Sequence, residues 1–246
     1  MRSLKLFVLL TLSVVTSTIA VAQDGNETSR NILRELWGQD RQQFTVGNMI
    51  PSIQNENIKG SPFLFNDFTE GIVITRDNKQ SNVMPMNFNV YDQEIVIRGE
   101  RGYLAIQGDN LQGFRLITSD EIHEYIRGLD ASDLKRDEYV RVMVKGEMAL
   151  LYKPEVTIRG SESVASYGST PEREFIFKER YYVQRDGEIE RLRRLSRRHI
   201  LRFFDDKRDL MESYAKSKEL DLGEAEDVAK LIEYYNSVMD EDSGSA

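Results

Sequence analysis

The chain has 246 residues, of which 40% are hydrophobic and 30% charged, with 33 Lys and Arg against 41 Asp and Glu and no cysteine. This hydrophobic content excludes a wholly disordered chain, and 16 Gly with 5 Pro exclude a collagen-like one. The lack of cysteine excludes a disulfide scaffold, cysteine-ligated zinc, iron–sulfur clusters and a cysteine nucleophile.

Residues 1–22 have the pattern of a secretory signal peptide. Two basic residues lie near the start, a mainly apolar run covers 6–15, and Ala20-Val21-Ala22 forms a small-x-small cleavage site. The apolar run is about half of the roughly 20 residues that a membrane-spanning helix needs. We therefore expect cleavage after Ala22 and a soluble mature protein in the periplasm or outside the cell, beginning at Gln23.

Export changes the charge balance. The signal peptide carries two basic residues and no acidic ones, so the mature chain has 31 basic and 41 acidic residues and a net charge of −10 instead of −8. Binding to nucleic acid needs a basic surface, so we predict no nucleic-acid partner. The mature sequence has no cysteine for a lipid anchor and no second apolar stretch of membrane-spanning length, so we predict that it is not an integral membrane protein.

A polar N-terminal segment, residues 23–59, precedes the main domain. It contains the one tryptophan of the chain, Trp37, which has the spacing of two helical turns with Ile32, Leu33 and Leu36. We predict a short helix here that docks on the protein's own core, followed by a polar connector.

Residues 60–193 have the pattern of an antiparallel β domain. Short segments rich in Val, Ile, Phe and Tyr alternate with turn residues, and most follow one another without a helix between them. Nine strands are predicted, at 71–76, 83–90, 94–98, 103–107, 113–118, 139–144, 148–154, 174–183 and 188–192. We expect a meander that forms a rolled sheet, a barrel or a sandwich. The alternation around Ile95 and Ile97 predicts a strand with one solvent-exposed face.

Two segments interrupt the predicted strands. Residues 119–134 are acidic and polar, with Ile122, Tyr125 and Leu129 at helical spacing, and they predict a short helix over one end of the sheet. Residues 159–172 are rich in Ser, Gly and charge and predict a surface loop.

The hydrophobic period becomes helical over 194–240, where we predict a C-terminal segment of about three helices packed on the β domain. Ser196 is the expected N-cap of the first helix, the second starts near Asp205, and Asp221 with Glu224 fits a capping box for the third. The fold class predicted from these patterns is α+β.

The third predicted helix has an apolar stripe that must dock on the sheet or on another subunit. The stripe consists of Val228, Leu231, Ile232, Tyr235 and Met239. Residues 241–246 are acidic and small, and we predict a disordered tail there.

Three stretches resemble a known family when they are taken together. They are GSPFL at 60–64 with Phe68 and Gly71, PMNFNVY at 85–91 with Glu94, and IEYYNSV at 232–238. Their order and spacing resemble a family of uncharacterised exported proteins of Bacteroidetes. The resemblance implies the β-rich fold and the envelope compartment, and it implies no activity and no site residue.

The known catalytic motifs are missing or incomplete. His123-Glu124-Tyr125-Ile126-Arg127 begins like the zinc-binding HExxH helix, but Arg127 stands where the second histidine must be. The other histidine, His199, lies among arginines, which oppose its protonated form. The sequence contains no nucleophile elbow, phosphate-binding loop, dinucleotide fingerprint or EF-hand loop. We predict no metal and no cofactor.

Six arginines crowd the junction between the last strand and the helical segment. Four of them, Arg193, Arg194, Arg197 and Arg198, are the predicted anion-binding residues, because guanidinium groups suit phosphate and carboxylate. An anionic lipid headgroup or a glycan would be such a partner. The alternative is that these arginines pair with the protein's own carboxylates, such as Asp209.

Two aromatic clusters suggest a second kind of site, either a ligand cavity in the β domain or simply a filled core. They are Phe63, Phe65, Phe68 and Phe175, Phe177, Tyr181, Tyr182. We expect a non-catalytic exported binding or interaction protein of the bacterial envelope, whose partner is an envelope protein, a lipid headgroup or a glycan. A lipocalin-like carrier of an apolar or anionic small ligand and an unrecognised carboxylate-dependent hydrolase are the alternatives.

Overall fold

The computed structural model describes residues 58–99, 102–106, 110–160 and 173–244. Eleven strands of this part of the chain form one sheet. The predicted signal peptide, the predicted helix around Trp37 and most of the predicted loop at 159–172 lie outside the described residues.

The strands follow the predicted order closely. They are β1 (Ile58–Lys59), β2 (Thr69–Thr75), β3 (Met84–Asn89), β4 (Glu94–Gly99), β5 (Gly102–Ile106), β6 (Leu111–Ile117), β7 (Ile122–Ile126), β8 (Val140–Val144), β9 (Met148–Arg159), β10 (Arg173–Arg185) and β11 (Glu188–Leu192). All nine predicted strands are present. Strand β9 is longer than predicted and ends at Arg159 instead of residue 154.

The strand order is β1-β10-β9-β8-β7-β6-β2-β3-β4-β5, and β11 also pairs with β10. Every pairing is antiparallel except that of β1 with β10. Within the described residues no ladder joins β5 to β1 or β11, so the sheet is not closed and the barrel alternative is wrong.

The open sheet is rolled, because strands that are distant in the sheet share one hydrophobic core. Phe88 and Ile95 of β3 and β4 belong to the same cluster as Val156 and Phe175 of β9 and β10. The Phe175 ring also lies 5.6 Å from that of Tyr91, edge-on. The prediction of an α+β fold with an antiparallel sheet is confirmed, and of the three predicted forms of the sheet the open structure corresponds to the rolled one.

The predicted helix within 119–134 is wrong, because residues Ile122–Ile126 form strand β7. Backbone hydrogen bonds hold this strand between β6 and β8, where Ile126 is paired with both Gly113 and Val140. The side chains at helical spacing do not share a buried face, since Tyr125 is 1% exposed and Ile122 is 60% exposed. The pairing of β7 with a neighbouring strand on each side therefore outweighs the helical spacing of its apolar residues.

Strand β4 also differs from its predicted pattern. Ile95, Val96 and Ile97 are all buried, so both faces of the strand are covered. Alternation of residues along a strand indicates an exposed face only where one side of the sheet is in contact with solvent, and this is not so at β4.

The C-terminal segment contains the predicted helices. They are α1 (Arg197–Ile200), α2 (Arg208–Ser217) and α3 (Ala225–Gly244), with a 3-10 helix at Leu201–Lys207 between the first two. The tail prediction is wrong up to residue 244, because α3 continues that far. The N–H of Asp221 donates to the carboxylate of Asp227. Asp227 therefore takes the role that the predicted capping box gave to Glu224.

Helix α3 docks on the sheet through the predicted stripe. Val228, Leu231, Ile232 and Tyr235 are at most 1% exposed. They share a hydrophobic cluster with Met148, Leu150 and Val183 of β9 and β10. Burial of such side chains contributes about 1.5–3 kcal/mol each before ordering entropy is counted.

Asn236 fixes the position of α3 along the sheet. Its Oδ1 accepts from the N–H of Met148 at 2.9 Å, and its Nδ2 donates to the carbonyls of Met148 and Lys145 at 2.9 and 3.2 Å. A Cβ on Gly146 would collide with this amide, so the close approach requires glycine in the turn between β8 and β9. The helix is therefore tied to one hairpin at one register.

Candidate functional site

A cleft of about 270 Å³ opens on the concave face of the sheet, between the rolled core and the helices. Alternate residues of a strand face the same side, so the register of β7, β8, β9 and β10 brings four side chains into one row. The row consists of Tyr125, Arg141, Tyr152 and Tyr181. These side chains line the cleft, and α3 contributes Glu226 at its start.

Five Phe and Tyr side chains line the cleft. Tyr125 and Tyr152 are buried in the floor, and the rings of Tyr152 and Tyr181 lie 5.4 Å apart. Phe177, from the same face of β10, lines the cleft and is 44% exposed. The Phe65 ring forms the opposite wall and meets the His123 ring edge-on at 5.5 Å.

Glu179 accepts hydrogen bonds from two tyrosine hydroxyl groups of the cleft floor. The hydroxyl of Tyr181 donates to Glu179 Oε2 at 3.1 Å, and that of Tyr152 donates to Oε1 at 3.4 Å. Burial and the nearby Glu179 carboxylate raise the pKa of both tyrosines above the ordinary value of 10.0. Both hydroxyls therefore stay protonated near neutral pH and act as donors.

Arg141 and His123 supply no free positive charge to the cleft. The guanidinium group of Arg141 forms an ion pair with Glu121. Burial, with the positive charge of Arg141 as a second cause, lowers the pKa of His123 below 6.5. His123 is thus a neutral strand residue, although the sequence places it in an HExxH-like segment.

Asn87 holds the wall that carries Phe65. Its side chain is buried, and its Nδ2 donates to the carbonyls of Phe65 and Asp67 at 2.8 and 3.2 Å. Its Oδ1 accepts from the N–H of Phe65 at 3.4 Å. The N–H of Leu64 donates to the carbonyl of Phe88 at 2.9 Å, and that of Val90 donates to the carbonyl of Pro62 at 2.9 Å, so residues 60–64 and 85–91 meet beside the cleft.

The four predicted anion-binding arginines do not converge on one cavity. Arg193 lines a second cavity of about 310 Å³ together with Arg191, Arg202, His199 and Glu190. The other three, Arg194, Arg197 and Arg198, do not line it.

Part of the arginine cluster pairs with the protein's own carboxylates. Arg191 lies 2.6 Å from Asp133, Arg197 lies 3.6 Å from Glu212, and Arg202 is paired with Glu190. The remaining arginines, Arg193, Arg194 and Arg198, form no ion pair with any other described residue. Anion binding by the four predicted arginines stays a prediction.

The described residues contain no group of three His, Asp or Glu side chains placed to hold a metal ion. Within those same ranges, every helix is too short or too polar to cross a bilayer. No family model, no curated protein and no solved structure matches the chain.

Sequence reasoning identified the aromatic side of the cleft and missed its polar side. Phe65, Phe177 and Tyr181 belong to the two aromatic clusters of the sequence, whereas Arg141 and Glu179 belong to no recognised motif. The signal that indicates them is the alternation along β8 and β10, which becomes informative once the register between the strands is known.

Proposed function

We propose that the chain is a non-catalytic exported binding protein of the bacterial envelope, and that its ligand occupies the cleft on the concave face. The observation that carries the proposal is the exposed ring of Phe177 at the mouth of a cleft with a buried tyrosine floor. Small-molecule sites are concave and largely aromatic, with a few placed polar groups. The signal-peptide pattern of residues 1–22 supports export.

The ligand is small. The cleft volume of about 270 Å³ lies just below the range of about 300–1,000 Å³ that is usual for small-molecule sites. A long acyl chain needs a deeper enclosure, such as the interior of a closed barrel. Among the alternatives drawn from the sequence, a carrier of a small ligand therefore has more support than a carrier of a lipid.

The hydrolase alternative has less support. A carboxylate-dependent glycosidase needs a general acid that is kept protonated, which burial in an apolar pocket achieves. The two carboxylates that line the cleft, Glu179 and Glu226, are both exposed to solvent. This environment favours binding over acid catalysis.

A thermal-shift screen of the mature chain (residues 23–246) against small amines, sugars, amino acids and carboxylates tests the proposal. We expect at least one compound to raise the melting temperature of the wild type and not that of Phe177→Ala. Val83→Ala is the matched control, because Val83 is a similarly exposed apolar residue that does not line the cleft. The proposal fails if no compound stabilises the wild type, or if Phe177→Ala responds like Val83→Ala.

A further inference from the structure

The charges that line the cleft are mainly negative. Its ionisable side chains are Arg141, Glu179 and Glu226, together with the neutral His123. Glu121 compensates the charge of Arg141. Neither Glu179 nor Glu226 forms an ion pair with a described Lys or Arg, although the charge of Lys230 interacts with Glu226 over a longer distance. The carboxylate of Glu179 and that of Glu226 are both exposed at the cleft.

The hydrogen-bonding groups of the cleft are mainly acceptors. The hydroxyls of Tyr152 and Tyr181 already donate to Glu179. An ionised carboxylate has about four lone-pair sites, so Glu179 retains further acceptor capacity. An anion would meet two like charges here.

The rings beside these carboxylates suit a positive charge. The face of an aromatic ring carries negative partial charge and attracts a cation within about 6 Å of its centre. Tyr152, Tyr181 and Phe177 come from adjacent strands on one face of the sheet, next to Glu179. An ammonium group would gain the ring faces and the carboxylates together.

We infer that the cleft binds a small organic cation, whose ammonium or quaternary ammonium group lies between the rings of Tyr152, Phe177 and Tyr181 and the carboxylates of Glu179 and Glu226. The inference rests on the proposed function and names the ligand class of the same site. The small volume selects a compact amine instead of a lipid-sized one.

Calorimetric titration of the mature chain with choline and with putrescine tests the inference. The matched ligand control is 3,3-dimethylbutan-1-ol, which has the shape of choline without its charge. We expect at least one of the two cations to bind, and choline to bind at least tenfold more tightly than the alcohol if it is that cation. Raising the salt concentration should weaken the binding, because the carboxylates are exposed.

The double variant Glu179→Gln/Glu226→Gln should bind the cation about tenfold more weakly or worse. Both residues are exposed, so the variant keeps its fold, which circular dichroism verifies. Glu147→Gln removes another exposed carboxylate outside the cleft and should bind like the wild type. Equal loss in the control and the double variant would mean a general charge effect and would overturn the inference.

The outcomes separate this inference from the proposed function. If the alcohol binds as well as choline, or if only neutral or anionic compounds of the screen bind, the cation inference is wrong and the binding cleft stands. If neither cation binds and no compound of the screen does, both are wrong. Cation binding that survives in the double variant places the ligand elsewhere and also overturns the inference.

Discussion

The two faces of the β9–β10 hairpin carry charges in different ways. On the outer face, Lys153 is almost fully buried, and its Nζ lies 2.6 Å from Glu138. On the concave face, the hydrogen bonds that Glu179 accepts from described side chains come from two tyrosine hydroxyls, and Phe177 is exposed beside it. Alternate residues of the same two strands thus supply a closed ion-pair network on one side and an open cleft on the other.

The outer network continues across the hairpin. Arg180 Nη2 lies 2.8 Å from Glu155 Oε1, and Asp133 lies 2.6 Å from Arg191 and 3.6 Å from Arg180. Asp133 and Glu138 belong to the segment between β7 and β8, which the network ties to the sheet. Removing one partner of a buried ion pair destabilises the fold, because the other charge is then left buried alone. Charges at a cavity that lack an ion-pair partner are available to a ligand.

The largest expected effect comes from disrupting the contact between helix α3 and the sheet. Ile232→Asp places a charge in the buried contact of α3 with β9 and should lower the free energy of unfolding by more than about 4 kcal/mol. Urea denaturation measures the change. Ser237→Asp on the exposed side of α3 is the control, and an unchanged unfolding midpoint for Ile232→Asp would contradict the docking of the helix.

Breaking the outer network should have the next largest effect. Lys153→Met leaves Glu138 without its partner at 2.6 Å and should lower the free energy of unfolding by about 3 kcal/mol. Lys178→Met, an exposed position on the same face, should change it by less than about 0.5 kcal/mol. If both variants lose the same amount in chemical denaturation, the paired charges of the outer network do not stabilise the fold.

The hydrogen bonds between Asn236 of α3 and the β8–β9 hairpin should contribute somewhat less to the free energy of unfolding. Asn236→Ala removes three hydrogen bonds to the backbone and should cost about 2 kcal/mol. Ser237→Ala removes only a hydroxyl bonded within the helix and should cost little. The melting temperatures of the two variants measure this difference. Equal melting temperatures would mean that the hydrogen bonds of Asn236 do not stabilise the contact of α3 with the hairpin.

Most of the sheet is predictable from the sequence because its strands are rich in β-branched and aromatic residues and its turns are well marked. Strand β7 is the exception, since its conformation depends on the two neighbours that pair with it. The cleft is predictable only in part, because Tyr125 and Tyr181 come to line the same cleft only through the register of four strands. The arginine cluster is dense in sequence, but its members are divided between a strand, a connecting segment and two helices, and only Arg191, Arg193 and Arg202 line the same cavity.

The smallest expected effect concerns the core next to the cleft at alkaline pH. Burial raises the pKa of Tyr139 to about 12, with the Arg127 guanidinium acting against the shift. The phenol ionises near 10.0 when the chain is unfolded. This stabilising contribution is therefore complete below pH 10 and is lost as the pH rises through 12.

Between pH 9 and 11 this one group should lower the free energy of unfolding by about 1 kcal/mol. Urea denaturation at the two pH values measures the loss, and Tyr139→Phe should show a smaller one because the ionising group is gone. An identical loss in the variant would assign the pH dependence to other groups.

The central claim is that the concave face binds a ligand and the outer face serves the fold, and two adjacent residues of β10 test it most directly. Lys178 lies opposite Glu155 and Glu179 opposite Pro154 in the register, so their side chains point to opposite faces. Calorimetric titration with choline and putrescine should show cation binding that is at least tenfold weaker in Glu179→Lys and unchanged in Lys178→Met. Equal affinities for the two variants, or a loss only in Lys178→Met, would contradict this claim.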